Sequence, residues 1–362
     1  MPASPDVPPG IAAAFELGVP VTDACFDAAG GTLAVATGDG ALRLYALGRA
    51  GVTAGPAVEA HEGPVLQLRP GGPGGGFVTG GDDGRVVALD GANSSTAAPR
   101  ALATFSGAWI DALAVSADGR LVAAAVGRSV HVMDAAGKPI AVLDGHPSTV
   151  ADLAFSASGG TLAVAHYRGV TLWPLPAGEP RRLDWPGSHL RVVFGPDGRH
   201  VVTATQDNEI HAWRLADGAG FQLAGYGAKP RSLSWGPRGA YLASSGADGA
   251  MLWSFRGEGP ASRPPIALGP ERGELVSVVA CHPARDLLVF GYRDGCILRG
   301  GLEDVPIEEV RPPSGSAVAA LIWSPDGRWL AAAMEDGRLE FRRARAAGLL
   351  ERLMRRLLPR AA

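Results

Sequence analysis

Short runs in which apolar and polar residues alternate recur along the chain, and turns rich in glycine and aspartate separate them. Ala41–Tyr45 and Ile210–Trp213 are two such runs, with Arg43 and His211 at the outward positions and apolar residues between them. A period of two predicts strands with two distinct faces. On this pattern His131 and His211 are expected at the surface. A 3.6-residue pattern is confined to the last residues, where Leu349, Leu350, Leu353, Met354, Leu357 and Leu358 share a stripe. Residues 346–362 therefore predict a basic amphipathic helix, with Arg352, Arg355 and Arg356 opposite the stripe.

The strand pattern is reiterated. LRVVFGPDGRHVVTATQDNEIHAWRL from Leu190, PRSLSWGPRGAYLASSGADGAMLWSF from Pro230 and AVAALIWSPDGRWLAAAMEDGRLEFRR from Ala317 align almost in register. The same frame begins at Val21, Ile110 and Val150, and in distorted form at Val65 and Val276, giving eight units. First-turn glycines at 119, 159, 198 and 239 are spaced by 40, 39 and 41 residues. Glycine suits a tight strand-to-strand turn because it accepts a positive φ without steric cost. A repeat near 40 residues with four short strands predicts an all-β propeller, in which each blade buries its faces against its neighbours. The reading is eight four-stranded blades over residues 12–345, with seven as the alternative. Residues 1–11 are expected to form a disordered tail. Ala12–Leu17 is placed as the outermost strand of the last blade, beside Arg338–Arg343, which leaves no open edge at the seam.

The units resemble the WD40 repeat over roughly residues 12–344. Ser324-Pro325-Asp326-Gly327 matches the family's first turn, Gly145-His146 its glycine-histidine pair, and Trp173, Trp213 and Trp253 its third-strand aromatic. No Trp-Asp dipeptide occurs, and no unit carries the whole His–Ser/Thr–Asp–Trp relay, so the resemblance is to a divergent member. It implies a non-catalytic protein-interaction scaffold.

Composition narrows the remaining chemistry. The net charge of −3 argues against a nucleic-acid partner. Cys25, Cys281 and Cys296 form no C-x-x-C pair and read as small apolar residues in a reducing, cytoplasmic setting. None of the eight histidines forms a metal-ligand or catalytic spacing, no nucleophile elbow is present, and GGPGGG at 71–76 lacks the Lys-Ser/Thr of a phosphate loop. No catalytic residue, metal or cofactor is therefore assigned.

Unit register collects Trp109, His146, Tyr167, Arg168, Trp185, His189, Tyr226, Lys229, Arg231, Tyr292 and Arg293 on one rim, as candidate contacts for a protein or peptide. Two other readings stand beside this one: a hydrolase or lyase with a site in the central channel, and a regulator recruited to membranes by its C-terminal helix. Strand edges shielded by the ring predict a monomer.

Overall fold

In the computed structural model, the described residues are 10–71, 75–90, 98–257, 259–260, 263–302 and 306–344. The expected C-terminal helix over 346–362 and residues 1–9 of the expected tail lie outside them.

The described residues form a closed ring of antiparallel sheets. A helical turn among them is Pro237–Gly239. Each unit runs outward from an inner strand. The first unit is Val21–Phe26, Thr32–Thr37, Ala41–Gly48 and Gly51–Glu59. The turn closing its second and third strands brings the Gly40 Cα against His61, where an added Cβ would lie 2.3 Å from the His61 carbonyl oxygen. With φ at +86°, this position requires glycine on two counts.

Six sheets are four-stranded, and a seventh has six strands. This corrects the expectation of eight separate blades in favour of the alternative count of seven. The fourth and fifth units share one sheet because two segments of 14 residues, Thr161–Pro174 and Arg181–Phe194, run on where other units break. Thr161–Pro174 turns back within itself at Arg168, whose φ is +76°. Leu175 N–H then donates to Gly160 O at 3.0 Å, as Leu47 does to Gly31 in the first unit at 2.8 Å. Arg181–Phe194 pairs with Tyr167–Leu172 through its first part and with Val201–Thr205 through its last. The connection between two units has thus become strand.

The seam closes as the pattern predicted. Ala13–Glu16 pairs with Arg338–Arg343, Ala13 opposite Phe341 and Glu16 opposite Arg338. Phe15, Tyr45 and Phe341 meet there with ring centroids 4.8 to 5.9 Å apart. The inner strand Val318–Trp323 packs on Val21–Phe26, so last meets first. Apolar clusters fill the spaces between neighbouring layers, small residues on second strands (Ala34, Ala36, Ala123, Ala163, Ala332) letting the layers approach.

Where the seventh unit carries Arg285 instead of the turn glycine, His282 takes over. Its Nδ1 accepts the N–H groups of Ala284 and Arg285 at 3.1 Å, and its Nε2 bonds Gly327 O of the next unit at 3.1 Å. His282 thus serves as a buried turn cap.

Candidate interaction face

Two sets of loops share the upper face: those leading into each inner strand, and the turns between second and third strands. The eleven rim candidates divide into three groups there.

Trp109, Tyr167 and Arg168 are exposed as expected, Trp109 at 65% and Tyr167 at 52%. A chain of hydrogen bonds links their loops. Ile110 N–H donates to Gly81 O at 3.2 Å, and Gly127 N–H to the Asp111 carboxylate at 2.6 Å. The Arg128 guanidinium donates to His146 O at 2.7 and 2.9 Å, and Tyr167 N–H to Ser148 Oγ at 2.9 Å. The two aromatics thus stand on one braced strip across the third and fourth units.

Lys229, Arg231 and Arg293 form the second group. They line the wall of the central channel with Arg191, Asn208 and the serines 232, 234, 245, 277, 314 and 316, around a space of about 1810 Å³. Asp23, Glu335 and Asp336 also line it, Asp23 being held by Arg69 at 2.8 Å.

The third group corrects the expectation. His146, His189, Tyr226 and Tyr292 are buried, and Trp185 is half-buried. Trp185 lies flat on His211, with ring centroids 3.8 Å apart. Tyr292 packs under the Arg272 guanidinium, 5.5 Å from its ring centre. These side chains turn inward between layers instead of toward the rim.

The comparisons with known proteins agree with this architecture. Residues 137–173 match the family described as WD domain, G-beta repeat, and residues 279–356 match the anaphase-promoting complex subunit 4 WD40 domain. The chain is a WD40 β-propeller. Rat telomerase protein component 1 is 28% identical over 234 residues, which is 62% of this chain and 9% of that protein. Rat WD repeat-containing protein 55 is 25% identical over 197 residues, 51% of this chain and 49% of that one. The matched stretch thus spans about half the length of the second relative and under a tenth of the first. Among solved structures, the computationally designed Ika8 protein superposes with a TM-score of 0.72 at 18% identity, over 91% of this chain and 98% of that one. A chain of a mitotic checkpoint complex gives 0.60 at 17% identity, over 74% and 86%. At these identities the likeness is one of fold.

Within the WD40 frame, the inward side chains form incomplete versions of the family's relay. In the second unit His61 bonds Asp83 at 2.9 Å and Thr79 at 2.8 Å, with Leu89 at the aromatic position. In the fourth, His146 Nδ1–H donates to Arg128 O and its Nε2 accepts the Trp173 indole N–H at 3.1 Å. In the sixth a tyrosine replaces the histidine. The Tyr226 hydroxyl accepts the Trp253 N–H at 2.6 Å and bonds Ser244 at 2.7 Å. The signal was present in the sequence as spacing, since Tyr226 precedes Trp253 by the same 27 residues that separate His146 from Trp173.

Burial holds His61, His131, His146, His166, His189, His200 and His211 below the ordinary imidazole range, His211 at about 3. His211 is buried rather than solvated, and neither ring nitrogen has a hydrogen-bond partner among the described residues. His131 is half-buried against Phe105, at 4.5 Å. The unfolded chain therefore binds protons first, and stability must fall as pH drops through about 6.5. His211→Phe keeps the ring stack and removes two unsatisfied buried nitrogens. Its stability at pH 7 is expected to be equal or up to about 1 kcal/mol higher. Its loss of stability between pH 7 and pH 5 is expected to be smaller than that of the wild type. Urea titrations at both pH values test this, and a variant less stable at pH 7 contradicts it.

Proposed function

We propose that this WD40 propeller is a non-catalytic scaffold in the cytoplasm that binds a protein or peptide across the strip carrying Trp109 and Tyr167. The exposure of these two aromatics carries the reading. Large rings left in solvent on braced loops are pre-organised, so a partner that buries them loses little conformational entropy on that side. Arg168, beside Tyr167, adds a planar cation that suits a carboxylate or an aromatic face. Its positive φ holds it in a conformation that non-glycine residues avoid, a kind of strain that collects at ligand-binding turns. The cations of the channel wall extend the same face toward the axis.

Affinity purification from the native cell with mass spectrometry would identify the partner. The double variant Trp109→Ala, Tyr167→Ala then tests the strip. Loss of two such anchors costs roughly 2 kcal/mol or more each, so recovery should fall at least 100-fold while the melting temperature stays within a degree or two. A double variant that still recovers the partner at the wild-type level refutes the assignment. Equal loss with Lys229→Ala, Arg231→Ala alone would move the contact to the channel.

A further inference from the structure

The geometry points to a second interaction surface, independent of the rim: the outer strand of the third unit, Pro139–Leu143, pairs with the same strand of a second copy of this chain about a two-fold axis at Ala141. An outer strand exposes a row of unpaired backbone N–H and C=O groups, and proteins normally blunt such an edge with charge, proline, brevity or cover. The other outer strands here do so. Gly51–Glu59 carries Pro56 and Glu59, and Pro99–Thr104 carries Arg100, paired to Asp90. The outer stretch of the fourth unit is Arg181, Arg182, Leu183 and Asp184. In the fifth, Gln222 bonds Glu209 and Arg214 lies over Phe221. Ile266–Leu268 has three residues, Glu308–Arg311 has three charges, and Ala13–Glu16 is buried up to Glu16.

Pro139–Leu143 has no charge within it. Pro139 stands at its first position, and the strand's pairing with Ser129–Asp134 shifts register between Val132 and Met133, yet Ile140 stays 40% and Val142 54% exposed. Val142 stands opposite His131 on the neighbouring strand, and His131 in turn packs against Phe105, so the apolar surface continues inward.

Charge complementarity identifies the occupant. Lys138 precedes the strand and Asp144 follows it. Both are exposed, and neither side chain forms an ion pair among the described residues. Antiparallel pairing of two copies about Ala141 sets Lys138 opposite Asp144 of the second copy at each end. Between them, Ile140 faces Val142 of the second copy. Opposite charges and β-branched pairs directly across two strands are both favourable, and a two-fold contact makes each of them twice. The segment from 138 to 144 is thus complementary to itself in charge and in shape. The monomer expected from the sequence rested on strand edges being mostly shielded, and this edge leaves two apolar side chains exposed.

Sedimentation equilibrium of the full chain, from about 1 to about 100 µM, covers the range in which a small two-fold interface associates. The wild-type mass should rise from the 37.1 kDa of one chain toward twice that value. Lys138→Asp alone and Asp144→Lys alone each put like charges together at both ends, and each should remain at the single-chain mass. The combined variant restores opposite charges and should dimerise again, which a mere folding defect would not do. A wild type that stays at 37.1 kDa throughout overturns the proposal. So do single swaps that dimerise normally, or a combined variant that fails to recover.

Discussion

Glu340→Leu should destabilise the propeller by about 3–5 kcal/mol, the usual cost of removing one side of a buried ionic cluster. Glu340 is fully buried on the third strand of the closing sheet, and three arginines converge on it. Arg338 and Arg311 reach one carboxylate oxygen at 2.9 and 3.1 Å, and Arg342 reaches the other at 3.1 Å. Arg311 belongs to the outer strand of the preceding unit and also bonds Gly295 O and Ser314. The carboxylate therefore ties the last two sheets together at the perimeter. Burial already pulls the Arg342 guanidinium below its ordinary range, against the opposing pull of Glu340. Without that carboxylate, three cations face one another in a desolvated space. Equilibrium denaturation at pH 7 measures the loss. A change below about 1 kcal/mol would mean that water or a solute ion compensates the arginines.

The second large effect is expected at the seam. Phe15→Ala should cost about 3–5 kcal/mol, as for other fully packed phenylalanines. Phe15 is 4% exposed and lies between Tyr45 of the first sheet and Phe341 of the last. Its loss opens a cavity where the two ends of the chain are joined, so it weakens closure as well as burial. The same substitution at Phe26, in the same cluster but on an inner strand, serves as the comparison. Greater sensitivity to limited proteolysis near the N-terminus in Phe15→Ala than in Phe26→Ala would locate the weakness at the seam. Equal patterns would argue that the closing strand is held by its backbone pairing alone.

The ring and its closure were legible because they rest on local chemistry. Glycines such as Gly119 and Gly198 mark positive-φ turns, with φ at +70° and +69°, and Ala12–Leu17 has the apolar content of a buried strand with no other partner. The merging of the fourth and fifth units was not legible. Pro186-Gly187 has the composition of a turn, yet both residues fall within the strand Arg181–Phe194, Gly187 with φ at +97°, and Ser188 pairs with Tyr167. Alternation also misled at His211. In a free-standing sheet, parity separates core from solvent. Between stacked sheets both faces of the middle strands are covered, so parity separates one neighbour from the other. His211 is outward in parity and meets Trp185 instead of water. His146, His189 and Tyr226 were misplaced for a related reason: the loops that hold His146 and Tyr226, and the strand that holds His189, lie near the surface, while their side chains point down into the relay positions.

Closure of the ring by Ala13–Glu16 also has a consequence during synthesis. The strand leaves the ribosome well before its partner, which begins at Arg338, 325 residues after Ala13. At typical elongation rates of about 5–20 residues per second, the interval is roughly 15–65 s. Over that time Phe15 and Leu17 have no sheet to join. A nascent chain of this protein must therefore carry an apolar, pairing-competent segment until Arg338–Arg343 has emerged, which makes that segment a natural substrate for ribosome-associated chaperones.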